Sequence, residues 1–348
     1  EAHPDIVMLD FDFLQNPFYM VDRIFIEFSD MAVIAILSQY DMEDIDRVVL
    51  AGAWAFIRYP YQHDKLLTTI RRVVELLESN AGTADEPSDS AGSETGSVHK
   101  NTLTVFSPKG GVGTTTIAVN LAISFHKKFN EDVLLIDGKL ILGHVALYLN
   151  LLSGNSISDL IKQSGMLDEQ LIKQVVVKHN SGIHVLPCPS TVSEAQGIKP
   201  ENLFTVIQSL QQVYPNIIID GGNELSDRSV TFMDASNKIL LVLNPDMAAL
   251  RDAKQFIEIT SSLSYPKDKI SLLLNQTGRK AEMQSNEIER ILQMEIFGSI
   301  PADDQLALTC LNEGIPILQK KPRHAISRAF DRISKELAKT LEPQHAKK

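Results

Sequence analysis

Thr102-Leu103-Thr104-Val105-Phe106-Ser107-Pro108-Lys109-Gly110-Gly111-Val112-Gly113-Thr114-Thr115-Thr116 runs from an apolar strand, through a glycine-rich turn, into a helical pattern. That arrangement makes a phosphate cradle. Glycines let the backbone curl so that successive N–H groups point inward. The helix N-terminus adds its dipole and its unpaired donors. Against the pattern GxxxxGK[ST], the turn departs twice: Pro108 stands at the first glycine and Thr114 at the lysine. Thr115 keeps the hydroxyl position that ligates Mg2+. A lone glycine-rich loop is as often a plain strand–helix turn. The strand before it, the helix after it and the threonine run favour phosphate here.

Outward from the loop, further strands are read at 133–136, 183–186, 217–219, 239–243 and 270–274, each a short apolar run closed by turn residues. Helical patterns follow them, for instance at 116–129 and 247–263. The alternation predicts a doubly wound α/β domain with a mostly parallel sheet and ligands at the C-terminal strand ends. Residues 1–78 alternate similarly on a smaller scale. Strands are expected at Ile6–Leu9, Ala32–Leu37 and Phe56-Ile57, with a helix from Met42 and another from the Asp64 cap to Glu78. Between them, 79–100 is rich in Ser, Gly, Ala and acidic residues and reads as a flexible linker. The domains expected are therefore 1–78, the linker 79–100, and 101–342. Glu1 leads almost at once into a strand, which points to a missing stretch ahead of it.

Composition narrows the classes. A chain of 348 residues with 44% apolar content can bury sizeable cores. Its 33 basic and 44 acidic residues leave a net charge of −11, which argues against unaided binding to nucleic acid. Cys188 and Cys310 form no CxxC pair, which excludes a disulfide framework or cysteine-held cluster and fits a reducing cytosol. No apolar run approaches the roughly 20 residues that span a bilayer, and no signal peptide is visible. His126 and His144 lack ligand-spaced partners, and no G-x-S-x-G elbow occurs.

Lys109-Gly110-Gly111-Val112-Gly113 resembles the deviant Walker A loop of the ParA/MinD group of regulatory ATPases, whose signature lysine stands early. The missing second lysine resembles one branch, the TadZ/CpaE proteins of type IV pilus and Tad secretion systems. The likeness continues through Leu134–Asp137, Leu142–Leu149, Val185–Pro189, Ile217–Asp220, Asn244–Asp246, Leu250–Ala253, Leu274–Gln276, Ser299–Asp304 and Asn312–Pro316, and so covers about 100–320. The resemblance implies ATP and Mg2+ bound between two copies of the chain. It places Lys109, Gly110, Gly111, Val112, Gly113, Thr114, Thr115 and Thr116 around the phosphates and Asn275 and Pro301 at the adenine. Thr115 and, in the outer shell, Asp220 would hold Mg2+. Asp137 would stand by the attacking water, and Lys109 would reach the partner's phosphates. Relatives carry a second carboxylate two residues after Asp137, where this chain has Lys139. A lysine cannot orient water, and its charge favours bound phosphate instead. With Thr114 and Lys139 both departing, hydrolysis is expected to be slow or absent, while binding persists.

Pro4–Asp10 resembles the phosphoacceptor strand of response-regulator receiver domains, with Asp10 at the acceptor, and Ala51–Pro60 resembles the receiver's closing strand. Tyr59 replaces the receiver lysine, Ser38 can serve as the switch hydroxyl, and the acidic pair of a first strand is absent. A pseudo-receiver for docking or dimerisation is therefore expected, with Asp10 capping a strand. Ala325–Leu341 is amphipathic through Ile326, Phe330, Ile333 and Leu337. Asp331, Glu336 and a narrow apolar stripe favour a helix packed on the sheet over a MinD-type membrane anchor. The function implied is an ATP-binding regulator that dimerises around ATP and organises a Tad/type IV pilus or secretion assembly. Its expected place is the bacterial cytoplasm, at a cell pole or the inner membrane face. A cycling ParA/MinD-type positioning ATPase and a two-component output protein are the alternatives.

Overall fold

The computed structural model describes residues 101–341 except 165–166, 264 and 279–282, and, before them, 4–14, 31–38, 53–59 and scattered positions up to 74. The expected linker at 79–100, the start of the Met42 helix and the Asp64 cap lie outside the described residues. The chain divides into two compact units, Glu1–Glu94 and Thr95–Lys348.

In the first unit, β1 (Ile6–Asp10), β2 (Ala32–Leu37) and β3 (Ala55–Arg58) form a parallel sheet in the order β1-β2-β3. Successive side chains of a strand point to opposite faces. Val33, Ala35 and Leu37 thus join Phe11, Val21 and Val48 in one buried cluster, while Ala32, Ile34, Ile57 and Val73 make the other. Apolar residues cover both faces of this sheet, as parallel strands require.

The second unit is built on eight strands in the order β11-β10-β9-β4-β8-β5-β7-β6. They are β4 (Asn101–Phe106), β5 (Val133–Asp137), β6 (Val177–Lys178), β7 (His184–Leu186), β8 (Asn216–Asp220), β9 (Lys238–Leu243), β10 (Ile270–Thr277) and β11 (Ile296–Pro301). All neighbours are parallel except β6 and β7. This is the mostly parallel, doubly wound α/β architecture expected from the sequence. Both edge strands escaped prediction. β6 has two residues, and β11 carries Gly298 with mostly half-buried positions, so neither offers the buried apolar run that marks a central strand. β10 runs past its apolar part because Thr277 still pairs with Pro301 of β11.

Period-two alternation sorts the side chains onto two faces. Leu103, Val105, Leu135, Ile218, Val242 and Leu273 pack with α1 (Thr114–Phe129). On the other face, α2 (Pro200–Val213) covers Leu134, Ile136, Ile217 and Ile219, and α3 (Met247–Ser262) covers Phe106, Leu241 and Leu243. The helix α1 is buried along Ile117–Phe125 because a further helix, α4 (Ala325–Leu341), covers it from outside. The stripe Ile326, Phe330, Ile333 and Leu337 belongs to that core, and Ser124 of α1 donates to Asp331 of α4 at 3.1 Å. The C-terminal stripe therefore packs into the protein's own core. No helix among the described residues is long and apolar enough to cross a membrane. Phe330 is 1% exposed. Phe330→Ala is expected to lower the unfolding free energy by about 3–5 kcal/mol in chemical denaturation. A loss no larger than that of the exposed control Arg332→Ala would contradict this packing.

Candidate nucleotide-binding site

The glycine-rich loop leaves β4, which lies between β9 and β8 in the middle of the sheet. Gly111 and Gly113 sit at φ +78° and +96°, a left-handed backbone that residues with a Cβ adopt only under strain. Gly113 caps α1, with Ile117 N–H donating to its carbonyl at 2.9 Å. The first turn, Thr114–Thr116, presents backbone donors that no intrahelical carbonyl can take. Asn223, one residue past Gly222, lies 3.5 Å from where a Cβ on Gly110 would stand. The absent side chain at Gly110 thus leaves room for the Asn223 amide beside the loop.

Beside the loop stand two carboxylates. Asp137 ends β5 and Asp220 ends β8, and the register pairs them directly. Both are fully buried, on the α1 face that Leu135 and Ile218 share. Asp220 accepts the Thr115 hydroxyl at 2.5 Å and the Gly222 amide at 3.3 Å. Asp137 accepts the Val145 amide at 3.0 Å through Oδ2, while buried Oδ1 has no hydrogen-bond partner. Burial first, and then the charge of Asp220, pushes the Asp137 carboxyl up to about 8. Burial also raises Asp220, opposed by the Thr115 hydroxyl, the Gly222 amide and the charges of Lys139 and His144. Cys188 lies against Asp137, and burial with that carboxylate's charge pushes its thiol up to about 12.

Hard oxygens of this kind suit Mg2+, which takes one or two carboxylates and completes its shell with water and phosphate oxygens. Among the described residues, no cluster of three or more His, Cys, Asp or Glu forms a self-sufficient metal cage. The unpartnered Oδ1 of Asp137 and the Thr115–Asp220 pair fit such a shared ion, which would supply charge neutralisation at the phosphates.

The remaining expected site residues divide. Lys109 Nζ is paired with both carboxylate oxygens of Asp246, at 2.8 Å each. Asp246 follows β9 and caps α3 by accepting the Ala249 amide at 2.9 Å. Burial alone would raise its pKa, but the bonds from Lys109 and from the helix amides hold it below its ordinary value. Asn275 donates its amide to the Val112 carbonyl at 2.7 Å, so here it props the loop. Gly113, Thr116, Asn275 and Pro301 line one small cleft of about 70 Å³. That is far below the roughly 300–1,000 Å³ of ordinary ligand pockets, so a purine base does not fit there without rearrangement of the lining. A larger hollow, about 460 Å³, lies elsewhere among Asn150, His179, Gly314 and Gln319 and contains none of these residues. In the first unit, Asp10 accepts the Asp12 amide at 3.0 Å, and the Ser38 hydroxyl is bonded to Asp12 rather than to Asp10.

The fold and this loop define a P-loop nucleotide-binding domain. Residues 100–272 match the family model described as AAA domain. The chain is 26% identical over 244 residues to the septum site-determining protein MinD of Thermotoga maritima, covering 68% of this chain and 88% of that protein. A ParA family ATPase from Chlorobium tepidum superposes with a TM-score of 0.65 at 25% identity, over 68% of this chain and 98% of that one. MinD of Pyrococcus horikoshii, solved with Mg-ADP, superposes at 0.61 and 23% identity, over 69% and 96%. Over most of its length the C-terminal unit is thus similar, in sequence and fold, to the ParA/MinD-like P-loop ATPases.

Nothing in the local sequence gives Asp246 or Cys188 a role in the site. An Asp before a helix was recognisable as a cap, but its approach to Lys109 depends on β9 lying beside β4, and strand order is not written in local sequence. The raised carboxyl has a consequence for stability. Below the ordinary value of 3.8, folded and unfolded states both carry the Asp137 proton; between 3.8 and about 8 only the folded state keeps it. The stability of the nucleotide-free protein should therefore fall across that window and level above it. Asp137→Asn is expected to flatten this slope and to stabilise the protein most at pH 8, read by denaturation at pH 5 and 8. An unchanged slope would show that Asp137 is already ionised.

Proposed function

We propose that the chain is an ATP-binding regulator that forms a dimer clasped around ATP and Mg2+ and turns over slowly or not at all. Its role would be to position or organise an assembly at a cell pole or the inner membrane face, a Tad/type IV pilus or secretion system being the reading its loop resembles. The observation that carries this is Lys109. Its ammonium pairs with Asp246, which follows β9, while Thr115 pairs with Asp220, so its charge is not committed to its own phosphate cradle. Both side chains of that pair are about one-third exposed, at 32% and 30%. An ion pair of that exposure is worth about 0.2–1 kcal/mol, so a partner's phosphates compete with it easily. Asp137 and Asp220 supply the carboxylates of a metal-assisted site, whereas the second switch carboxylate is Lys139 and the loop lysine is Thr114. Those two replacements favour holding ATP over splitting it.

The cycling positioning ATPase is the second reading, supported by the likeness to MinD over most of that protein's length. For the two-component reading, Asp10 has Asp12 and Ser38 as neighbours but no lysine at Tyr59, which supports docking rather than phosphorylation. Lys109→Ala is expected to bind ATP yet remain monomeric in sedimentation with Mg-ATP, where the wild type dimerises. Asp246→Asn keeps the helix cap and removes the competing ion pair, and should tighten the dimer by up to about fivefold. Equal dimerisation of Lys109→Ala and wild type would refute the clasp.

A further inference from the structure

The phosphate loop lacks its lysine, and a lysine of another strand lies across the adjoining turn. Lys139 stands two residues beyond β5, and Gly222 two residues beyond β8. A Cβ on Gly222 would lie 3.3 Å from Cβ and Cγ of Lys139 and 3.6 Å from its Cδ, so the lysine stem passes directly over this glycine. Gly222 has φ +65°, which independently favours glycine there. Its carbonyl accepts the Ser107 amide at 3.2 Å, which fastens the same turn to the root of the loop. One residue back, a Cβ on Gly138 would stand 2.8 Å from the Asp220 carbonyl. Residues 137–139 therefore run alongside 220–222, and Lys139 is half-buried over the turn that borders the cradle.

Charge points the same way. Thr114 is neutral, and Lys109 is paired with Asp246 and, on the reading above, serves a partner's phosphates. Asp220 feels the positive charge of Lys139, which works against the burial that raises its pKa. An ammonium is a compact charge with three rotatable donors on a flexible stem, so it can meet a phosphate from any side of the cradle. A guanidinium or a carboxylate has no such freedom.

We propose that Lys139 is the phosphate-binding lysine of this site, supplied from the loop after β5 in place of the one missing at Thr114, with the terminal phosphates of a nucleoside triphosphate as its ligand. This rests on the nucleotide-binding reading above and names the residue that takes over the phosphate charge. The test is equilibrium titration of the full chain with Mg-ATP, with thermal unfolding as a control for folding. Lys139→Gln, which keeps the stem over Gly222, should weaken ATP binding by about tenfold or more. Lys139→Arg should lose less, and Thr114→Lys combined with Lys139→Gln should recover most of the affinity. A merely structural role for Lys139 does not predict rescue by a lysine at Thr114. Affinity of Lys139→Gln within about twofold of wild type overturns the proposal. So does a folded double variant that regains nothing. Wild type that binds no ATP at all would instead overturn the nucleotide reading itself.

Discussion

Two carboxylates end adjacent parallel strands in register, and both are fully buried. That juxtaposition of Asp137 and Asp220 governs the site. Like charges brought together under burial resist ionisation, so the nucleotide-free domain keeps one of them protonated or leaves it strained. The surroundings reflect that tension. Asp220 draws on the Thr115 hydroxyl, the Gly222 amide and the Lys139 charge, while one Asp137 oxygen remains unpartnered. A site of this kind is completed by positive charge, and the sheet aims it at the mouth of the phosphate loop.

Where that positive charge comes from distinguishes this chain from a plain P-loop enzyme. The loop lysine is a threonine, the early lysine faces Asp246, and a third lysine leans over Gly222 from β5. Charges spread in this way can hold a triphosphate while leaving no carboxylate at the second switch position to orient water. Binding and turnover place different demands on a site, and on the proposed reading these residues would meet the first better than the second. Asn275 ties the loop to β10 by donating to the Val112 carbonyl.

Much of this was legible in the sequence because it is local. The strand–glycine–helix junction, the central strands of the second unit and the amphipathic spacing of Ala325–Leu341 all follow from periodicity and turn chemistry. The edge strands β6 and β11 were not legible, since short half-buried strands lack an apolar run. The Lys109–Asp246 pair and the Lys139–Gly222 contact were not legible either. They join residues 137 and 83 positions apart, and only the strand order brings them together. Asn275 shows a subtler limit. The resemblance places it at a strand end by the adenine, whereas its bond to Val112 of the loop depends on β10 continuing beyond its apolar part.

Steady-state phosphate release by the full chain with saturating Mg-ATP tests the account most directly. An ATP-clasped regulator with Thr114 and Lys139 in place should release at most about one phosphate per bound nucleotide over the lifetime of its dimer. Sustained multiple turnover that Asp137→Ala abolishes would contradict it and establish a cycling ATPase instead.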